Sequence, residues 1–290
     1  MPAARLPVWD TVRKSLNDVV EDFPGFLRRY WPFVILWGVL VSLPGAYALD
    51  AQAMNALMEA AKDSAQPPPF DQMMATVNPL MVLLSGVSML ALFSLYTLRW
   101  SRQLLLGETL EAPELLRFGK PAWHVLFTWL KIYGVFLGGA LIAGIGFAVL
   151  AGLLAVLKLP QELSGLLSFA VVLGLLTAAI VVGMRICLAL PLAAIDEPAP
   201  LKTSWNMMKG YLWPVGLGLT VLMLLLMLAG AVAGLVVGII FGVVRLLLGD
   251  GFLMVLVNGL FNALIFVVTS GIVTAFNARI IAFLRHQGNA

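Results

Sequence analysis

Cysteine occurs once and histidine twice in 290 residues. The lone Cys187 excludes an internal disulfide and leaves no thiolate set for a metal, so it reads as a small apolar packing residue. His124 and His286 stand at interfacial or terminal positions, with no second histidine or carboxylate at ligand spacing, which argues against a metal centre. Charge is scarce too: Asp, Glu, Lys and Arg make up 11% of the chain, against about 25% in a soluble domain. What fills the space is 61% hydrophobic, the composition of an integral membrane protein. The net charge of +3 is spread over helix ends and forms no basic stripe, so nucleic acid is not an expected partner. No cofactor is expected either.

Acidic residues are missing from the interiors of the apolar runs. Asp50, Asp71, Glu162 and Asp250 fall at outer turns, and Asp196 and Glu197 follow the fourth run. Proton-coupled transport commonly relays through a membrane-embedded carboxylate, so that class is disfavoured. No serine with a partner base inside the membrane is recognisable, and enzymatic activity is not expected.

What the chain does have is one arrangement used three times: a short polar stretch with a basic residue, then tryptophan, then a long apolar run that turns and returns. The junctions are Arg28-Arg29-Tyr30-Trp31-Pro32, Lys120-Pro121-Ala122-Trp123 and Lys209-Gly210-Tyr211-Leu212-Trp213-Pro214. Basic residues gather on the cytoplasmic side of a bilayer and aromatic rings sit at headgroup depth, so each junction marks a helix entering the membrane. The expected fold is all-α: a single integral membrane domain over 1–290, with six spans in three hairpin repeats near 8–109, 110–197 and 198–290. At about 20 residues per crossing, the spans fall near 32–49, 77–98, 126–156, 163–190, 214–246 and 253–280.

Sorting the basic residues gives the topology. Arg5, Arg13, Lys14, Arg28, Arg29, Arg99, Arg102, Arg117, Lys120, Arg185, Lys202, Lys209, Arg279 and Arg285 fall on one side, with Lys131 near the same face; only Lys62, Lys158 and Arg245 fall on the other. This asymmetry predicts cytoplasmic termini. Asp10, Asp18, Glu21 and Asp22 precede the first apolar run, so no cleaved leader is expected.

The polar stretches carry short amphipathic patterns. Val8, Trp9, Val12, Leu16, Val19, Val20 and Phe23 recur at three- and four-residue steps, as in an interfacial helix or one packed on the end of the bundle. Leu110 to Phe118 and Leu201 to Met208 are shorter candidates. On the far side, a helix through Met54, Leu57, Met58 and Ala61 is expected before Pro67-Pro68-Pro69.

Two intramembrane features invite a functional reading. Gly230, Gly234, Gly238 and Gly242 form overlapping Gly-x-x-x-Gly steps on the fifth span, a helix-packing face expected to meet another span of the same chain, with a second protomer as the alternative. Gly134, Gly138, Gly139, Gly144 and Gly146 form a less regular seam on the third, and the two helices are expected to pack together. Asn258 and Asn262 stand one turn apart on the sixth span, followed by Thr269, Ser270, Thr274 and Asn277. Such groups usually bond neighbouring helices; a polar solute pathway is the sharper reading. Lys131 and Arg185 are expected to snorkel to the surface.

After the fourth span the chain reads Pro191-Leu-Ala-Ala-Ile-Asp196-Glu197, then Ser204-Trp205-Asn206-Met207-Met208-Lys209-Gly210. This resembles the proline, acidic and Ser-Trp-x-x-x-Lys-Gly pattern of six-span bacterial inner-membrane proteins of the YciC type, and the membrane domain attached to some glycerophosphoryl diester phosphodiesterases. The resemblance implies architecture and an inner-membrane location. It implies no activity, because no metal-binding carboxylate cluster of the soluble phosphodiesterase domain is present to carry one over. Physically, Pro191, Asp196, Glu197, Ser204, Trp205, Lys209 and Gly210 suit a cytoplasmic elbow between spans.

The expected function is a non-enzymatic inner-membrane protein that organises lipid or a partner protein, itself included as a homo-oligomer. The rivals are a small-solute permease using Asn258 and Asn262, and, more weakly, an enzyme acting on lipid headgroups through Asp196 and Glu197.

Overall fold

The computed structural model describes residues 6–64, 68–109, 114, 116–157, 161–248 and 252–288. They are helical throughout, with no strand among them and one isolated antiparallel bridge, Leu49 to Val77. The helices are α1 (Val8–Val20), α2 (Phe23–Trp37), a π-helical turn at Gly38–Ser42, α3 (Leu43–Ala46), α4 (Ala51–Ser64), α5 (Phe70–Ala75), α6 (Pro79–Leu106), α7 (Lys120–Leu157), α8 (Gln161–Ile186), α9 (Ala189–Ala194), α10 (Pro200–Met207), α11 (Leu212–Leu248) and α12 (Phe252–Gly288). Six stretches are long and apolar enough to cross a membrane: Phe23–Ala46, Pro79–Leu106, Lys120–Leu154, Leu163–Ala194, Leu212–Ile239 and Phe252–Gln287. Lys158, Asp250 and most of the Leu110 to Phe118 segment lie outside the described residues.

The centre of the bundle is the first, second and last spans. Phe26, Tyr30, Phe33, Tyr96 and Trp100 interlock, mostly edge to face. Polar atoms at the ring tips need partners once they leave water. Tyr96 donates to Val267 O at 2.7 Å, Trp100 Nε1 to Gly271 O at 2.8 Å and Tyr30 to Gln103 Oε1 at 2.8 Å. The π turn widens the first span where Gly38 meets Leu260, and the Val41 carbonyl within it accepts from Ser85 at 3.0 Å.

The α1 apolar face packs on the end of the bundle. Val12 and Val19 are buried, Val8 reaches the Gly218 position, and Asp18 pairs with Arg279. Both described ends of the chain therefore meet at one end of the bundle, which also carries Arg99, Arg102 and Arg285 and is called the basic end below. Trp31, Trp123 and Trp213, the tryptophans of the three junctions, all face outward, at 49%, 50% and 86% exposure. At the other end, Asp50 N and Asn78 N close the base of the long loop onto Thr76 O and Ala48 O. Its expected helix is α4, started by Asp50 Oδ1 accepting from Gln52 N and Ala53 N.

The second hairpin touches the bundle at α6, α9, α10 and α11, and its helices α7 and α8 pack on each other. Their most apolar stretches bury no residue inside protein.

Candidate functional site

Proline dictates where the fourth span breaks. Pro191 has no N–H and its ring collides with the carbonyl four residues back, that of Cys187. α8 accordingly stops at Ile186 and α9 restarts at Ala189. α9 then ends in a Schellman arrangement: Asp196 N bonds Ala193 O at 3.2 Å and Glu197 N bonds Leu192 O at 3.1 Å. The left-handed residue there is Asp196, at φ 60, where glycine is usual.

The two carboxylates of the elbow are held by separate partners. Arg102 grips Glu108 with two hydrogen bonds, at 2.8 and 2.7 Å, and reaches Asp196 Oδ2 at 3.0 Å and Ala194 O at 3.3 Å. The Arg102 hydrogen bond holds the Glu108 carboxyl below the usual carboxylate range. Glu197 accepts from Thr203 at 3.1 Å and faces Arg285 at 3.6 Å. Ser204, fully buried, donates to Arg185 O at 2.7 Å, and the Arg185 guanidinium lies over the Trp205 ring, 4.6 Å from its centroid. Arg185 is thus held against a ring, while Lys131 is exposed. Lys209 and Gly210 are exposed at the next turn, where Gly210 takes φ 85. Asp196, Glu197, Ser204 and Trp205 thus brace the end of the fourth span to Arg102 of the second and Arg285 of the last, while Lys209 and Gly210 take no part.

The expected packing of the glycine seams on another span of the same chain is corrected by the structure. A side chain added at Gly230, Gly234, Gly238 or Gly242 would meet nothing within 4 Å, and the same holds at Gly134, Gly138, Gly139, Gly144 and Gly146. α7 and α11 do not pack along each other, because α8 lies against each of them instead. Spacing marks a face that lets a helix approach closely but does not supply the helix. The close approaches lie elsewhere, at Gly38 against Leu260, Gly259 against Ser42, Gly271 against Tyr96, Gly216 against Met184 and Gly218 against Phe276.

Asn258 and Asn262 point outward. Asn262 Nδ2 donates to Asn258 O at 3.0 Å and to Asn258 Oδ1 at 3.1 Å, so the amides serve each other on an exposed face and line no interior passage.

A cleft of about 400 Å³ opens beside the elbow, between α6, the α8–α9 break, α11 and α12. Phe93, Leu226, Phe266 and Val273 form apolar walls, Cys187 and Pro191 one end, and Met223 and Met227 an outward-facing rim. Its polar lining residues are Thr97, Thr269, Ser270, Thr274 and Asn277, of which Thr97 and Asn277 are 2% and 8% exposed. Neither Thr97 Oγ1 nor Asn277 Oδ1 has a hydrogen-bond partner among the described residues. Asn277 is visible in the sequence as one of several polar residues on the last span. Thr97 is not, because a threonine five residues before Arg102 carries no local signal of what faces it.

Comparison with family models, with curated proteins and with solved structures finds no match.

Proposed function

We propose that this chain is a non-enzymatic inner-membrane protein with cytoplasmic termini, built from three hairpin repeats, that organises the lipid around it or a partner protein seated against it. One observation carries the reading: the most apolar stretches of α7 and α8 bury nothing inside protein. In water so large an apolar surface is untenable, whereas in a bilayer it is solvated by acyl chains. The bundle core then acts as a fixed post, and the second hairpin as an arm reaching into the surrounding lipid. The excess of basic residues at one end supports the cytoplasmic orientation. The outward pairing of Asn258 with Asn262 takes support from the permease reading. Separate partners for Asp196 and Glu197 take it from a headgroup enzyme.

The test is reconstitution into vesicles of defined lipid composition, with single-cysteine variants labelled from either side in a Cys187→Ser background. Labelling near Arg13 and Arg285 from the same side, six crossings, and a lipid annulus ordered by the intact chain but not by one lacking residues 126–186 are expected. Termini on opposite sides overturn the reading. So does specific turnover of a membrane substrate abolished by one polar substitution.

A further inference from the structure

The cleft beside the elbow has two buried polar atoms, Thr97 Oγ1 and Asn277 Oδ1, that no described residue satisfies. Several helical hydroxyls in this bundle turn back onto their own helix: Ser94 to Leu90 O at 2.7 Å, Thr128 to His124 O at 2.8 Å, Thr220 to Gly216 O at 2.9 Å and Thr269 to Ile265 O at 2.8 Å; Ser101 Oγ is unpartnered as Thr97 is, but does not line the cleft. Thr97 makes no such bond and lines the cleft with its Oγ1 unpartnered. Asn277, on the last span, lines the same cleft, and its buried Oδ1 is likewise unpartnered. Buried polar atoms are normally bonded, and more stringently so where no bulk water reaches them.

The chemistry of the floor restricts what fits. Asn277 Oδ1 only accepts, and a threonine hydroxyl both donates and accepts. A ligand hydroxyl answers both, giving its proton to Asn277 and taking the Thr97 proton. A phosphorylated or carboxylate head offers acceptors to Asn277 and brings a charge that no lining residue neutralises, since none is Lys, Arg, Asp or Glu. The walls are apolar, and the volume of about 400 Å³ lies within the usual range for small-molecule sites. The mouth is lateral: Met227 on its rim is 72% exposed within the membrane-spanning stretch Leu212–Ile239. Methionine thioethers adapt to irregular chains. Depth agrees, because Asn277 lies two residues before Arg279 and Thr97 five before Arg102, which places the floor just inside the basic end.

We propose that this cleft is a binding site for an uncharged lipid with a free hydroxyl in its head, of the acylglycerol class, entering sideways from the leaflet. Its hydroxyl bridges Thr97 and Asn277, and an acyl chain leaves past Met223 and Met227. The proposal rests on the membrane reading of the spans, and the two fail separately: side-specific labelling tests the first, and lipid competition tests the second.

The experiment uses the full chain in phosphatidylcholine vesicles with a diacylglycerol probe bearing a diazirine on one acyl chain. Saturable labelling is expected, mapped by mass spectrometry to Met223, Met227 or Phe266. Unlabelled diacylglycerol should compete at least about tenfold better than its O-methyl ether or phosphatidic acid, as expected for loss of a buried hydrogen bond. Thr97→Val and Asn277→Leu should each weaken labelling by about the same factor, while Thr97→Ser retains it. Met227→Trp, at an exposed rim position that leaves the floor intact, should block entry and separates loss of the site from loss of the fold. Non-saturable labelling, equal competition by the O-methyl ether, tighter binding of phosphatidic acid, or full labelling of Asn277→Leu overturns the proposal.

Discussion

Trp100 donates its indole N–H to the backbone carbonyl of Gly271, 2.8 Å away, and the missing side chain at Gly271 is what makes room for the rings beside it. A Cβ there would lie 2.7 Å from the Tyr96 hydroxyl and 3.2 Å from the Phe26 ring. Tyr96 cannot swing aside freely, because the same hydroxyl is bonded to Val267 O. Gly271→Ala should therefore destabilise the bundle by about 1–3 kcal/mol through overpacking. Trp100→Phe should cost about 1 kcal/mol, the worth of one hydrogen bond. Thermal unfolding in detergent at fixed scan rate checks both, and a Gly271→Ala protein as stable as the parent would show that this contact is looser than its geometry.

Two glycines with the same sequence appearance should behave oppositely. At Gly38 an added Cβ would lie 3.2 Å from the Leu260 Cα, so backbone meets backbone and the first and last spans must part. At Gly234 it would meet nothing within 4 Å. Gly38→Leu is expected to lower stability by about 3 kcal/mol or to prevent folding, whereas Gly234→Leu should stay within about 0.5 kcal/mol. Loss of stability in Gly234→Leu that grows with protein concentration would instead place a second copy on that face.

These two glycines also show where sequence reading reaches and where it stops. Six crossings were legible because twenty-residue apolar runs and basic-aromatic junctions are local properties, readable at Trp31, Trp123 and Trp213 without knowing what each helix touches. The break before Pro191 was legible for the same reason. Packing is not local. Gly38 and Leu260 meet across most of the chain, and nothing near either residue announces the other. The Gly230 to Gly242 stripe has the stronger spacing and no neighbour within 4 Å among the described residues. Among the polar residues, Asn258 and Asn262 drew the functional reading by their one-turn interval. That interval is also what lets them satisfy each other, whereas Thr97 and Asn277 lack partners on their own helices and line one cleft only once the bundle has assembled.

The Arg102–Glu108 pair should leave a pH signature. Glu108 has a folded-state pKa below its unfolded value, with the Arg102 hydrogen bond as the first cause. Its contribution is therefore fully present above the unfolded value, near pH 4.3, and fades as pH falls through the depressed folded value. Solvent reaches about a third of the Glu108 side chain, so the contribution is limited to about 1 kcal/mol. Glu108→Gln should lower the melting temperature at pH 7, and its gap from the parent should close as the pH is taken below about 4. A gap independent of pH would mean that the loss is one of packing and not of charge.

Asp18 and Arg279 fasten the first helix to the last one at the basic end. Arg279 Nε donates to Asp18 Oδ2 at 2.7 Å, and a second bond from Arg279 Nη2 completes a two-pronged grip. Asp18 is largely buried by it, so removing the arginine leaves a carboxylate with poor solvation. The apolar face of α1 remains in place through Val12 and Val19, so the helix should loosen without being lost. Local opening, not global unfolding, is the expected consequence. Arg279→Gln should raise the rate of proteolytic cleavage within Val8–Val20 by about tenfold, equivalent to about 1.4 kcal/mol of local stability, with little change in the melting temperature. Asp18→Asn, which leaves a neutral group at the same place, should give a smaller rise. Equal cleavage in the parent and both variants would mean that the valines alone hold α1 down, and that the ion pair selects its rotation without adding to its hold.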